Sequence, residues 1–368
     1  MSLDTPEKQS PPPFQPGGRA TLIGSLPVGD HRQGLELIRT HTPDIPLWPQ
    51  LPVNPKEGML VQFCEGFVGL VEGERTYFDT SGDFDDLLLP FFEDYLAVSE
   101  DPVALMTSRF AISPERAAGL HLLREKAAEL APLALKGQVT GPFTLLTGLQ
   151  DQDQRLSYYN PSLREMVVQG VAMKCAWQAR FLRETGLPVL IFIDEPALAG
   201  LGSSAFISIA TADIAQDIDQ AVQAIHGAGA LAGVHVCANT EWEMLLTSNL
   251  DIISFDAYEF FDRFITCREL IHSFLERGGI IAWGLVPTGN GDLVEAESTA
   301  SLVARWEAQA AQLINDHWSL PALLARTLIT PSCGTGSLPL KLAEKVLRMT
   351  GEVSATLRGR YLPAQPSK

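Results

Sequence analysis

Eight short apolar runs separated by amphipathic helical segments predict an α/β fold, a (β/α)8 TIM barrel with a helical insertion between its second and third strands. Runs rich in Val, Ile and Leu are typical of strands that are buried on both faces of a parallel sheet. Polar and thiol side chains recur just after these runs, where barrel enzymes carry their active sites. An open, doubly wound sheet is the structural alternative, but no G-x-G-x-x-G sequence follows the first run.

The positions of the strands and helices follow from the spacing of the apolar residues. Strands are expected at 21–25, 59–63, 137–141, 189–193, 232–236, 252–255, 280–286 and 327–330. Apolar residues at three- and four-residue steps predict helices that pack one face on the sheet. These helices are expected at 162–185, 211–226 and 297–314, with two more at 84–98 and 113–131. Because 64–136 is too long for one strand–helix unit, we expect an inserted helical subdomain over about 66–134.

The two ends of the chain differ in composition from the rest. Residues 1–18 are rich in Pro, Ser and Gln and have few apolar anchors, so they predict a disordered leader. Residues 361–368 are similar and predict a flexible tail. The region between them, 19–360, is expected to form a single catalytic domain, because we find no internal repeat and no long linker in it.

Charge and cysteine content narrow the class of protein. Lys and Arg number 27 against 44 Asp and Glu, and the resulting net charge of −17 argues against nucleic acid or an anionic membrane as a partner. No apolar stretch has transmembrane length, and the N-terminus lacks the apolar core of a signal peptide. Five cysteines spread over a long chain are not typical of a disulfide framework. We therefore expect a cytoplasmic protein with reduced thiols.

The most informative pair of residues is His235 and Cys237, at the end of the fifth predicted strand. Side chains two residues apart on a strand point to the same face, so an imidazole and a thiol converge there. Cys333 after the eighth strand offers a second sulfur and Asp256 after the sixth offers an oxygen, a set that favours Zn²⁺ over Mg²⁺ or Ca²⁺. Alternatively, Cys237 is a small core residue and His235 a buried, hydrogen-bonded histidine.

Two further strand ends carry candidate catalytic and substrate-binding groups. Asp194 and Glu195 end a strongly apolar strand, where two adjacent carboxylates can bind an ammonium group or act as acid and base. The alternative is a helix cap, with Pro196 in the first turn, and both roles are compatible if one carboxylate caps while the other faces the site. Gly24 and Ser25 offer N–H groups and a hydroxyl suited to a carboxylate, although a plain turn explains them nearly as well.

Taken together, these residues resemble the C-terminal catalytic barrel of cobalamin-independent methionine synthase, in the wider group that includes uroporphyrinogen decarboxylase. The resemblance spans about residues 20–345, and its most specific parts are the H-x-C pair with the later Cys and the I-D-E-P-A-L segment. The matching segments are Ile23-Gly24-Ser25, Thr140-Gly141-Pro142-Phe143-Thr144, Ile193-Asp194-Glu195-Pro196-Ala197-Leu198, His235-Val236-Cys237, Asp256 and Ser332-Cys333-Gly334.

The resemblance implies a function and a set of ligands. A zinc ion held by His235, Cys237, an acidic residue and Cys333 would bind the thiol of homocysteine and lower its pKa. The resulting thiolate would attack a methyl group. The resemblance also implies that Asp194 holds the amino group of the amino acid and that Ile23–Ser25 hold its carboxylate.

Three departures from the family pattern affect these expectations. The family's acidic ligand is Glu, whereas Asp256 occupies this position here and the interval from Cys237 is shorter, so Glu259 stays open as the ligand. Thr147-Gly148 stands where the family has a Trp that contacts the methylfolate, and 286–290 lacks the family's proton-donating His. Because the last two changes affect the donor side, a methyl-corrinoid protein is a better expected donor than methylfolate.

Two other functions remain compatible with the sequence. A uroporphyrinogen decarboxylase-like lyase would use the same barrel without metal, but it calls for clustered arginines and leaves both cysteines unexplained. A non-catalytic paralogue that binds zinc or a thiol would keep the same ligands. Metal content separates the first of these from the methyltransferase.

Overall fold

The computed structural model describes residues 14–363 and has an α/β architecture, in which helices flank a parallel, curled seven-stranded sheet. The strands are β1 (Arg19–Ala20), β2 (Leu70–Val71), β3 (Tyr77–Phe78), β4 (Leu135–Thr140), β5 (Val189–Asp194), β6 (Leu231–Val236), β7 (Ile252–Phe255), β8 (Ile280–Val286) and β9 (Thr327–Pro331). The order in the sheet is β1-β9-β8-β7-β6-β5-β4, and every neighbouring pair is parallel. β2 and β3 form a separate antiparallel pair.

Thirteen α-helices lie in the described part of the chain. They are α1 (His31–His41), α2 (Phe84–Glu100), α3 (Pro114–Leu130), α4 (Pro142–Gly148), α5 (Pro161–Arg183), α6 (Thr211–Gly227), α7 (Trp242–Leu246), α8 (Ala257–Phe264), α9 (Arg268–Glu276), α10 (Gly291–Ala296), α11 (Thr299–Ala311), α12 (Leu320–Ala325) and α13 (Leu340–Tyr361). None of the helices in residues 14–363 combines the length and the apolar character that a membrane crossing requires.

The helices begin where local chemistry satisfies their first N–H groups. Asn160 precedes α5 and accepts hydrogen bonds from the backbone of Ser162 and Leu163, while Pro161 occupies the first turn, where no N–H is needed. The helices expected at 162–185, 211–226 and 297–314 are confirmed as α5, α6 and α11, and those expected in the insertion are confirmed as α2 and α3.

The two faces of the sheet have separate cores, which explains why the strands are apolar throughout. In β5, Val189, Ile191 and Ile193 pack in the large core that includes the flanking helices. Leu190 and Phe192 alternate with them and belong to a small inner cluster with residues of five other segments. Its other fully buried members include Ile45, Ile252, Ala282 and Leu328. Each buried Leu, Ile or Phe contributes about 1.5–3 kcal/mol, so this double burial stabilises the sheet.

Two expected strands differ from the structure. The first was expected at 21–25, whereas β1 is Arg19–Ala20 and only the Thr21 N–H continues its bonding, to the Ile329 carbonyl. Residues 59–63 form successive turns, in which the Val61 and Cys64 N–H groups bond to Gly58 and Val61 carbonyls. An earlier segment, 44–50, contacts both edges of the sheet instead, through parallel bridges Ser25↔Gln50 and Leu47↔Lys136. Pro43 directly precedes this segment, and Pro46 and Pro49 lie within it. Proline lacks the N–H that a regular ladder needs, so the segment makes only isolated bridges.

The ends of the predicted domain extend slightly. Gly17 and Gly18, within the expected leader, donate backbone hydrogen bonds to Ala325 and Thr327, so contacts with the sheet begin before residue 19. The rest of that leader, 1–13, and most of the expected tail, 364–368, lie outside the described residues. α13 runs to Tyr361, whose hydroxyl donates to Glu307 at 2.7 Å.

Candidate metal and substrate site

The inner row of each strand changes from apolar to polar at its carboxyl end. Every second side chain of a strand lies on the same face, so Asp194 follows Leu190 and Phe192 on the inner face of β5. In β7, Ser254 follows Ile252 in the same way. The same register places His235 between them, since β6 pairs Asp194 with His235 and His235 with Ser254 across its two neighbours. These parallel strands therefore bring three polar side chains side by side at one edge of the sheet.

His235, Cys237 and Cys333 form one cluster at this edge, as the sequence predicts. Cys237 Sγ lies 3.3 Å from His235 Nε2 and 3.1 Å from Cys333 Sγ. All three donor atoms lie within 4.8 Å of one another, close enough to ligate one ion. His235 is buried, whereas both cysteines are partly exposed, so the cluster opens on the sulfur side.

The hydrogen bond between the two thiols shifts the pKa values of Cys237 and Cys333 in opposite directions. The hydrogen bond between them lowers the pKa of Cys333, because it stabilises the thiolate there, and His235 adds to this effect. The same hydrogen bond, together with burial, raises the pKa of Cys237. His235 Nδ1 lies 2.9 Å from Ser254 Oγ on the far side of the ring.

Asp256 does not join this cluster, which corrects the four-ligand set expected from the sequence. Its Oδ1 accepts a hydrogen bond from the Glu259 backbone at 3.0 Å, and the residue caps α8. Burial raises the pKa of Asp256 to about 6, while the hydrogen bond from Glu259 acts in the opposite direction. Glu259 is exposed on the first turn of α8 and is also outside the cluster. Among the described residues, the donor atoms of three side chains thus converge, those of His235, Cys237 and Cys333.

Asp194 has an unused oxygen next to the cluster. The residue ends β5 beside His235, and its Oδ1 is buried with no hydrogen-bond partner in residues 14–363. Burial raises the pKa of Asp194 to about 6, although Lys136 and His235 favour its charged form. A buried acceptor without a partner costs free energy, so this oxygen is suited to a ligand that donates a hydrogen bond.

Glu195 is used differently from its neighbour. Its oxygens accept hydrogen bonds from the Phe143 backbone at 2.9 Å and from the Thr144 backbone and hydroxyl at 2.8 and 2.5 Å. The carboxylate therefore caps α4, not the helical turn that follows it in the sequence. Burial raises the pKa of Glu195 to about 7, and these three hydrogen bonds act against that rise. Both oxygens are occupied, so the geometry gives this residue a structural role.

The Ile23–Ser25 segment lies beside the loop that carries Cys333. The Ser25 carbonyl accepts hydrogen bonds from the Thr335 backbone and hydroxyl, and the Ser25 hydroxyl accepts one from the Gly336 backbone at 3.2 Å. A Cβ on Gly334 would lie 2.1 Å from Ser25 Oγ, so a side chain at this position would displace the Ser25 hydroxyl. The Ile23 carbonyl accepts a hydrogen bond from Lys136 Nζ at 2.8 Å.

Several polar groups on the inner face were missed from the sequence. Lys136 is fully buried with Nζ 4.4 Å from the Phe192 ring centroid, and burial lowers its pKa to about 8. Gln138 Oε1 and Thr330 Oγ1 are buried and have no hydrogen-bond partner among the described residues. Gln138 and Thr140 lie in the strand predicted at 137–141 and Lys136 lies one residue before it, and the three alternate with apolar residues and Gly.

Comparison with known proteins assigns no family. The chain matches no protein-family model, and a search of curated proteins also finds no match. The function must therefore be inferred from the chemistry of the side chains. One imidazole and two sulfurs are side-chain types that commonly bind zinc in proteins.

Proposed function

We propose that this protein is a zinc-dependent methyltransferase that moves a methyl group onto a zinc-activated thiol, with homocysteine as the acceptor and methionine as the product. The observation that carries the proposal is the convergence of His235, Cys237 and Cys333 beside the unpartnered oxygen of Asp194. A thiol ligand would bind a zinc ion held by these residues, and an ammonium group on the same molecule would reach the carboxylate. The similarity of the sequence motifs to methionine synthase supports the same reading.

We further infer that the sheet closes into a full (β/α)8 TIM barrel, with 44–50 in place of the second strand. The segment bridges Ser25 on one side and Lys136 on the other, in parallel at both. Backbone bonds from Leu26 to Gln50 and from Lys136 to Pro46 support the closure. The candidate site would then lie at the carboxyl-terminal mouth of the barrel, where such folds carry their chemistry.

Each residue has a defined part in the proposed reaction. His235, Cys237 and Cys333 would hold the metal, which when bound supplies a Lewis acid that keeps a thiol ligand ionised near neutral pH. Asp194 would accept a hydrogen bond from the substrate ammonium, and Ser25 would orient its carboxylate. A C–S bond then forms as the bond between the methyl carbon and its donor breaks, with the electron pair of that bond leaving on the donor. Glu195 would hold α4 in place rather than transfer a proton.

A methyl-corrinoid protein is the donor that we propose. Thr147 stands where the family has a Trp that contacts the pterin. Its small side chain donates a hydrogen bond to the Phe143 carbonyl at 2.7 Å, within α4. No His stands in 286–290 to protonate a leaving folate. A cobalt leaving group accepts the electron pair and needs no proton, so it tolerates both differences.

Metal content is the first test. We expect about one zinc per chain in protein purified without chelator, because three protein ligands suffice for a catalytic zinc site. Cys237→Ser and Cys333→Ser should both lose this zinc and, with it, methylation of homocysteine from methylcobalamin or a methyl-corrinoid protein. The measurement is elemental analysis of the folded protein, followed by detection of methionine.

Cys267→Ser is the matched control, because Cys267 is a partly exposed thiol outside the cluster. It should keep both zinc and activity. Full activity in Cys237→Ser or Cys333→Ser would contradict the proposal, as would a folded wild-type protein that cannot be loaded with zinc. The second outcome would favour a metal-free lyase on the same fold.

A further inference from the structure

Ser254 contacts the side of His235 that faces away from the two thiols. Its side chain is fully buried on β7, and Ser254 pairs with His235 in the register of β6 and β7. The hydroxyl oxygen lies 2.9 Å from His235 Nδ1, whereas His235 Nε2 lies 3.3 Å from Cys237 Sγ. The two ring nitrogens thus have different partners, and only Nε2 faces the other candidate ligands.

We propose that Ser254 is a positioning residue that holds His235 as the Nδ1–H tautomer and so presents an unprotonated Nε2 to the metal; this rests on the proposed function. A neutral imidazole has one donor and one acceptor nitrogen, and a metal binds the acceptor. When Nε2 is a ligand, the proton must be on Nδ1, and the Ser254 oxygen is placed to accept it. The hydrogen bond also fixes the orientation of the imidazole ring, because Ser254 lies on the regular strand β7.

The use of a neutral hydroxyl fits the charge of the site. His235 lies close enough to Asp194 and Asp256 to act on the pKa of both carboxyl groups, which it lowers. Within residues 14–363, however, the ring nitrogens hydrogen-bond to Ser254 and Cys237 and to neither carboxylate. Histidine ligands commonly donate their second N–H to a carboxylate, a carbonyl or water. Here a hydroxyl orients the ring without adding negative charge beside two sulfur ligands and an incoming thiolate.

The test compares zinc affinity in three variants of the full chain. Ser254→Ala should weaken zinc binding by about 10- to 100-fold, the usual cost of removing a group that orients a ligand. Ser254→Thr keeps the hydroxyl and should retain a zinc affinity closer to that of wild type than Ser254→Ala does. Ser354→Ala is the control, because Ser354 is a buried serine on α13 that bonds to the Gly18 carbonyl at 2.7 Å, outside the site. Affinity is measured by competition with a chromophoric chelator, with circular dichroism to verify folding.

Each outcome is decisive. Unchanged affinity in a folded Ser254→Ala, or an equal loss in the Ala and Thr variants, would overturn the positioning role and leave the proposed function intact. Failure of the wild-type protein to bind zinc would overturn both. If Ser254→Ala does not fold, long-range ¹H–¹⁵N NMR of the zinc-loaded wild-type protein decides the matter, because the inference requires a proton on His235 Nδ1 and none on Nε2.

Discussion

Asp194 ends the inner row of β5 with one oxygen that has no partner in the described residues. In the proposed function this oxygen binds the ammonium group of the acceptor. We therefore expect zinc-loaded Asp194→Asn to lose its preference for homocysteine over 4-mercaptobutanoate, the same thiol without the amino group. The preference should fall about tenfold or more, since a hydrogen bond to a charged group is worth about 1.5–3 kcal/mol. Competition binding of the two thiols measures this.

Zinc content must be unchanged in Asp194→Asn for the comparison to be valid, because Asp194 is not a proposed ligand. Asp262→Asn is a control at an exposed position on α8. Equal loss of affinity for both thiols in Asp194→Asn would indicate damage to the metal site and would count against the ammonium-binding role.

At the scale of the element, Glu195 links the end of β5 to the first turn of α4. Three hydrogen bonds converge on its carboxylate, two of them from backbone N–H groups that have no partner within the helix. Glu195→Gln replaces one acceptor oxygen with an amide NH₂, which cannot accept a bond from the α4 backbone. We expect the free energy of unfolding to fall by about 1–3 kcal/mol, the cost of leaving a buried donor unsatisfied.

Urea unfolding of Glu195→Gln and of Glu93→Gln provides the comparison, because Glu93 is exposed on α2. The control should differ from wild type by less than about 0.5 kcal/mol. A stability of Glu195→Gln as high as that of the control would show that these hydrogen bonds contribute little.

The sequence predicted regular elements well and irregular ones poorly. Strands such as β5 and β8 are apolar on both faces, so their sequences carry a strong signal. Residues 59–63 carry a similar apolar signal but fold as turns, whereas 44–50 bridges the sheet despite its prolines. Local sequence favours the wrong segment here, because the contacts that place 44–50 come from residues distant in the chain.

The candidate site was predictable only in part, for a related reason. Alternation on a strand placed His235 and Cys237 together, and matching strand ends brought Cys333 to them. The same reasoning included Asp256, but a carboxylate just before a helix can cap it, and here the Glu259 N–H binds its oxygen. Hydrogen-bond competition of this kind depends on side-chain rotamers, which a sequence pattern does not specify.

For the whole molecule, the stability depends on pH through a partly exposed pair, His226 and Asp251. His226 Nε2 lies 2.8 Å from Asp251 Oδ2, and this hydrogen bond raises the pKa of His226 above its ordinary value of 6.5, although burial opposes it. Protonated His226 therefore stabilises the fold below pH 6.5, and the contribution is lost as pH rises through the higher native pKa. Because the pair is partly exposed, its effect is about 1 kcal/mol or less.

The measurement is urea unfolding of wild type and His226→Gln across that range. We expect wild type to be more stable than the variant at pH 6 and the difference to shrink toward pH 8, above the titration range of a histidine raised modestly from about 6.5. His317→Gln is the control, since His317 lies in an exposed loop. A difference that grows as pH rises would contradict the assignment of charge to this pair.

The pairing of β1 with β9 has a consequence for protein synthesis. Arg19 pairs with Leu328, so these two strands are neighbours in the sheet although they lie near opposite ends of the chain. The Ser25 hydroxyl also accepts a hydrogen bond from Gly336, in the loop that carries Cys333. A nascent chain that has been translated only as far as β8 contains His235 and Cys237. It still lacks β9, which pairs with its first strand, and Cys333, the third proposed ligand. In the proposed function, an ion could therefore meet all three ligands only after residue 333 has been translated.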